Sequence, residues 1–290
     1  MSTSFKDCLY SALGKAFNSV CLSPQNVSRV LDVHPSSLPF CGYSFIINWL
    51  YLKGLSACRM QDEFVLGTGT HFHNILEKYM GEENSNLYGT WFCNSCGSVV
   101  CTGLKPKDIC PHCGAEYTLR YSELGINYKG IVGHVDTIMQ DKNGDFWIVD
   151  YKTTTLDKLQ QKAQDPGENY KTQIFTYALL VKLQYKIKIK GVCLLFIAKE
   201  KPSLENTSTW ICLVNSKDTA KVKKILKEAV SLKRALVKAK DWNDIKKLPL
   251  HKCSNPYCPI CCKEEKDIRK ILRNLCEKNP LLLPIIDKCK

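Results

Sequence analysis

Two short apolar runs, Ile131 to Met139 and Phe146 to Tyr151, lie either side of the polar stretch DKNGD. The pattern predicts two paired strands. Asn143-Gly144 predicts a type I′ hairpin turn between them, because both residues accept the positive φ it needs. From Cys41 to Leu55 a nearly continuous apolar face (Phe45, Ile46, Trp49, Leu50, Leu52) predicts a buried helix packed on a sheet. Leu66 to Met80 predicts a second helix, entered through loosening glycines, with His73, Leu76, Glu77 and Met80 recurring at helical spacing. YTLRYSELGINYKG reads as a strand and turn. Tyr170 to Leu183 predicts a helix that sends Ile174, Ala178 and Val181 to the core, with Gln173 and Tyr177 one turn apart on a polar stripe. Residues 187 to 201 and the segment STWICLVN read as strands, the first buried. Residues 217 to 240 predict an amphipathic helix that buries Val222, Ile225, Leu226, Ala229, Leu232 and Leu236 and turns its lysines outward. Residues 1 to about 30 suggest a short helix and a linker.

Composition narrows the class. A chain of 290 residues that is 44% hydrophobic can build a proper core, which excludes a disordered protein. Its formal net charge of +13 suggests a polyanionic partner, without choosing among DNA, RNA and an acidic membrane surface. No run is long and apolar enough to span a bilayer, and the N-terminus has no continuous apolar core of a signal peptide. Seventeen cysteines, an odd number with C-x2-C spacings, argue for metal sites in a reducing compartment rather than disulfides. The expected location is intracellular.

The candidate chemistry sits on the two central strands. Asp136 interrupts the first apolar run and Asp150 lies near the end of the second. Uncompensated carboxylates in apolar strands cost several kcal/mol, so two on adjacent strands call for a shared cation. Hard oxygen donors point to magnesium or manganese. Strand alternation places Asp150 and Lys152 on one face and Tyr151 on the other. Two carboxylates with an ammonium beside them suit metal-assisted hydrolysis of a phosphodiester. A salt-bridged surface hairpin is the plainer reading of D-x-K alone. His71 or His73 could add an imidazole to the site. Separately, CNSCGSVVCTGLKPKDICPHCG holds two C-x2-C knuckles whose Cys93, Cys96, Cys110 and Cys113 can close a tetrahedral thiolate shell around a structural zinc. Near the C-terminus Cys253, Cys258, Cys261 and Cys262 crowd a short span, as thiols of a further metal cluster or second zinc would.

Together these pieces resemble the RecB-like branch of the PD-(D/E)xK nuclease superfamily, the branch that includes CRISPR-associated and AddB-type iron–sulfur nucleases. GTHFHNILE aligns Gly69, Thr70, His73, Leu76 and Glu77 with the family's first motif, favouring His73 over His71. Gly133 to Asp136 matches its G-x-x-D strand, Asp150 to Lys152 its D-x-K strand, and Gln173 with Tyr177 its Q-x-x-x-Y helix. The resemblance implies an α/β, restriction-endonuclease-like fold: a central mixed β-sheet flanked by helices, with an inserted zinc ribbon and a C-terminal cysteine cluster. The implied domains are an N-terminal helix and linker over 1–40 and a nuclease domain over 41–290, containing the ribbon at 91–116 and a cluster segment at 250–265. It implies that His73, Asp136, Asp150 and the main-chain carbonyl of Tyr151 hold the catalytic metal. Lys152 orients the attacking water or stabilises the transition state, and Gln173 and Tyr177 position DNA or the lysine. It further implies that Cys41 joins Cys253, Cys258 and Cys261 around a 4Fe-4S cluster. The C-terminal run departs from the family's spacing, being C-x4-C-x2-C-C. The ribbon resembles zinc modules of virus-encoded relatives, which implies a phage role and the cytoplasm of the host cell.

The expected activity is exonucleolytic hydrolysis of single-stranded or duplex DNA ends in recombination, repair or replication. A helicase or recombination partner fits, since the chain lacks a P-loop motor motif of its own. A catalytically silent binding protein on a nuclease fold, and a structure-specific or RNA-directed endonuclease, are the alternatives.

Overall fold

The computed structural model describes residues 20–24, 32–38, 41–43, 46, 55–83, 86–107, 109–116, 119–239, 241–248, 250, 261 and 263–278. In chain order these form β1 (Val20–Pro24), β2 (Leu55–Arg59), α1 (Met60–Glu83), β3 (Leu87–Cys93), β4 (Val99–Leu104), β5 (Leu119–Ser122), β6 (Leu124–Tyr128), β7 (Ile131–Val135), β8 (Thr137–Gln140) and β9 (Phe146–Thr154). There follow α2 (Leu159–Gln164), α3 (Glu168–Tyr185), β10 (Ile189–Ala198), β11 (Thr207–Leu213), α4 (Ser216–Lys238), α5 (Trp242–Ile245) and α6 (Glu265–Lys278). No helix among the described residues is long and apolar enough to cross a membrane.

The chain divides into two compact units. The larger, residues 33–40 and 71–230, is built on a seven-stranded mixed sheet in the order β11-β10-β9-β8-β3-β4, with β5 also on β3. The β9–β10 pair is parallel and the remaining pairs are antiparallel. The chain leaves β9 and returns to β10 through α2 and α3, the helical crossover that parallel neighbours require. A two-stranded β6–β7 sheet lies beside the larger one. The core joins Val135, Ile138 and Ile148 of the strands, Ile174, Ala178 and Leu180 of α3, Val192 and Leu194 of β10, and Val222 and Leu226 of α4. The smaller unit takes the described residues of 1–32, 41–70 and 231–290, with β1 antiparallel to β2.

The expected central sheet flanked by helices is present, and several local readings change. The turn between β8 and β9 is not type I′. Gly144 alone has positive φ, at 82°, and its amide donates to the Asp141 carbonyl at 2.9 Å. The Asp141 carboxylate accepts from the amides of Asn143 and Asp145 and from the Trp147 indole, which sets a wider, side-chain-capped loop. The run from Ile131 to Met139 is two strands, β7 and β8, broken at Asp136 and belonging to different sheets. α1 begins at Met60, ahead of the expected Leu66, and continues through Gly67 and Gly69. Of the helix expected from Cys41 to Leu55, Gly42, Tyr43 and Ile46 are helical and Leu55 opens β2, while residues 44–45 and 47–54 lie outside the described residues. Val20–Pro24, within the stretch expected to hold a short helix and a linker, is a strand because its partner β2 arrives from a distant part of the sequence.

α3 is the largest departure in burial. Residues 172–181 are all buried, so the Gln173 and Tyr177 stripe does not face solvent. Beside it, Gly191 of β10 faces Trp147 of β9, and a Cβ added there would overlap the indole ring. Gly191→Ala is expected to destabilise the protein by about 1–3 kcal/mol, as overpacking against a rigid ring does. A thermal melt checks it, with a fall of several degrees expected and an unchanged midpoint counting against it.

Candidate active site

The break at Asp136 builds the site. Antiparallel pairing of β8 with β9 stops at Thr137↔Val149, so the next amides of β9 have no strand partner on that side. An unpaired buried N–H costs about 1–3 kcal/mol. Asp136 Oδ2 supplies the missing acceptor, taking the Tyr151 amide at 2.8 Å. Asp136 is 9% exposed, and its own carbonyl accepts from the buried Tyr121 hydroxyl at 3.3 Å. The carboxylate is thus tied to the backbone unit between Asp150 and Lys152.

β9 presents the next pair. Asp150 and Lys152 lie on the same face, as strand alternation requires, and Lys152 Nζ stands 2.7 Å from Asp150 Oδ2. Both side chains are largely removed from solvent, which disposes of the exposed surface-hairpin reading. Tyr151 points the other way, sharing a 2.7 Å hydrogen bond with the Thr137 hydroxyl and meeting the His73 ring edge-on at 5.9 Å.

α1 brings His73. Its Nδ1 lies 3.4 Å from Asp136 Oδ2, whereas His71 is exposed. One turn on, Glu77 Oε1 accepts the Glu123 amide at 3.2 Å, clamping α1 to the junction of β5 and β6. Glu123 occupies that junction, and its carboxylate joins His73 and Asp136 so that one donor atom from each lies within 4.8 Å of the others. Sequence reasoning missed Glu123. Its signal was slight: a single carboxylate between Tyr121 and Leu124 in a stretch read as an ordinary strand and turn. Asp150 is not part of that triad, because its Oδ2 is turned to Lys152.

α3 closes the site from the side of Gly133. A Cβ at Gly133 would stand 3.1 Å from the Tyr177 hydroxyl oxygen, so the glycine of the G-x-x-D segment lets that phenol reach the strand. Tyr177 is 5% and Gln173 9% exposed.

The electrostatics describe a crowded anionic pocket. Burial, then the charges of Asp136 and Glu77, push the Glu123 carboxyl up to about 7. Burial also raises Asp150, against the opposing Lys152 ammonium. The hydrogen bond to Asp136 raises His73 despite burial. Burial disfavours the Lys152 ammonium, yet Asp150 and Asp136 leave its pKa raised. Burial together with the charges of Asp150 and Asp136 raises Tyr177, so its phenol sits within their field and stays protonated. Carboxylates driven toward protonation by burial and by one another are what a bound dication relieves. An imidazole and two carboxylates are donors for a divalent cation, so the residues present fit such an ion.

Two thiol groupings lie outside this pocket. Cys93, Cys96, Cys110 and Cys113 have their sulfurs within 4.8 Å of one another and could hold a metal ion. The two knuckles repeat one geometry: Gly97 and Gly114 both have φ of 72°, and their amides donate to the Cys93 and Cys110 carbonyls at 2.8 and 2.9 Å. Those glycine amides serve the loop backbone, and the sulfur of Cys110 accepts instead from the His112 amide at 3.4 Å. In the smaller unit Cys41 and Cys261 place their sulfurs 3.3 Å apart. Cys253 and Cys258 lie outside the described residues.

A mixed sheet that gathers carboxylates, an imidazole and a lysine at one strand break is the build of a phosphodiester-cleaving enzyme. The chain belongs to the PD-(D/E)XK nuclease superfamily, whose family model matches residues 110–262, just over half of its length. That span holds Glu123, Asp136, Asp150, Lys152, Gln173 and Tyr177 and begins after His73. No curated protein matches the chain. A solved structure titled "Crystal structure of SSO0001" aligns with 80% of this chain and 87% of its own at 14% identity, with a TM-score of 0.32. A likeness of that score adds nothing to the assignment.

Proposed function

We propose that this protein is a magnesium- or manganese-dependent deoxyribonuclease, an exonuclease working on DNA ends in recombination, repair or replication. The convergence of His73, Glu123 and Asp136 beside the Asp150–Lys152 pair carries the reading. His73, Asp136 and Asp150, with the Tyr151 carbonyl, are the ligands the sequence suggests, and Glu123 joins them. A divalent ion held there supplies Lewis-acid polarisation of the phosphate and of the attacking water. Lys152, steadied by Asp150, offers its ammonium to that water or to the charge developing on the phosphoryl oxygens. Gln173 and Tyr177 line the same pocket from α3 and position the lysine or the DNA. The +13 charge favours a polyanionic substrate and makes binding salt-sensitive. The segment 91–116 serves as a zinc ribbon inserted in the nuclease domain. Cys41 and Cys261 belong with Cys253 and Cys258 to a 4Fe-4S cluster or second zinc site. A phage replication-recombination system, with a helicase partner, is the setting these features suit.

The test is a cleavage assay with protein purified without oxygen and analysed for iron and zinc. Linear, circular and RNA substrates are compared across a magnesium and manganese series. Metal-dependent shortening of linear DNA, with circles spared, is expected. Cleavage of circles or RNA would replace the exonuclease reading with an endonuclease, and binding without any cleavage would leave a silent fold.

A further inference from the structure

Lys152 is held from two directions. Asp150 takes its ammonium at 2.7 Å, and the ring of Tyr170 lies 5.3 Å from the same nitrogen, within the range of a cation–π contact. Tyr170 comes from the first turn of α3 and is half-buried against the core. Its ring tilts against Phe196 at 6.1 Å, and Phe196 is the β10 residue in register with Lys152 on β9. The sheet therefore supports both the lysine and the aromatic face that covers it. We propose that Tyr170 is a positioning residue, whose ring face fixes the Lys152 ammonium in its working direction.

The physical need follows from the side chain. A lysine has four rotatable methylenes, and one carboxylate contact leaves it free to swing about that contact. A second, differently directed attraction removes that freedom at little desolvation cost, because a ring face needs no hydrogen bond from the ammonium. The remaining N–H groups stay available to water or phosphate. Lys162 Nζ also lies over the ring, at 5.4 Å, from α2. It donates to the Pro166 carbonyl at 3.4 Å, so it has a structural attachment of its own.

The inference rests on the nuclease reading, in which Lys152 serves the reaction. Its test places Phe and phenylalanines of increasing ring fluorination at position 170, which keeps shape while draining the negative face. Tyr170→Phe is expected to stay within about two-fold of the native kcat, and the most fluorinated ring to lower kcat roughly ten-fold, with KM and Tm little changed. Tyr170→Leu should match the fluorinated end. A flat kcat along the series overturns the proposal, as does an equal loss with Tyr170→Phe, which would assign the role to the hydroxyl. Lys162→Ala is the control: if it reproduces the loss, the ring works through Lys162 instead. Should the native protein cleave no DNA across the metal series, the nuclease reading itself fails, and should Lys152→Ala retain native cleavage, the role given to Lys152 fails and the Tyr170 proposal with it. Should Lys152→Ala be inactive while the series is flat, only the Tyr170 proposal falls.

Discussion

Asp136→Asn is expected to give a folded protein whose cleavage rate falls at least roughly a thousand-fold, the scale on which a lost site charge acts in polar catalysis. The substitution is a narrow one. The asparagine oxygen can still accept the Tyr151 amide, so the strand break keeps its cap. What disappears is a negative charge that repels Glu123 and Asp150 and attracts His73. Without metal the variant should therefore melt no lower than the native protein. With metal the two should part: a bound ion raises the native melting point by linkage, and the variant should lose that rise. Initial rates on end-labelled linear DNA, with melts across a manganese series, check both halves. Native cleavage by the variant would sink the site.

Lys152→Ala should reduce kcat by about a hundred- to a thousand-fold with DNA binding nearly unchanged, because an ammonium aimed at developing charge acts in the transition state. A cost in stability accompanies it. Asp150 is buried, and removing its partner leaves an uncompensated charge, a loss of about 3–5 kcal/mol unless the carboxyl takes up a proton. Burial already raises the pKa of Asp150, which makes that proton uptake easy and places the expected loss at the lower end. The double variant Asp150→Asn with Lys152→Met separates the effects. It should recover most of the melting temperature and none of the activity. Recovered activity would show that Lys152 is structural.

The parts of the site legible in the sequence are those settled within a few residues. Alternation along one strand puts Asp150 and Lys152 together whatever the strand packs against. A C-x2-C-G loop brings its own two thiols together, so both knuckles could be read directly. Helical spacing paired His73 with Glu77, but not what each touches: one meets Asp136 and the other a backbone amide at Glu123. The Asn-Gly turn failed because Asp141, just before it, captures the loop amides and outweighs the local preference.

The sequence by itself determined a basic, cysteine-rich α/β protein with a D-x-K strand and two C-x2-C knuckles, since each rests on short-range geometry. Only the tertiary structure decided that Asp136 caps an interrupted sheet, that Glu123 completes a donor triad, that residues 172–181 of α3 are all buried and that Tyr170 covers Lys152. These depend on strands and helices from distant parts of the chain meeting at one break in the β-pairing. Burial is a property of what lies on the other side of a residue, and periodicity along a chain records only its own face.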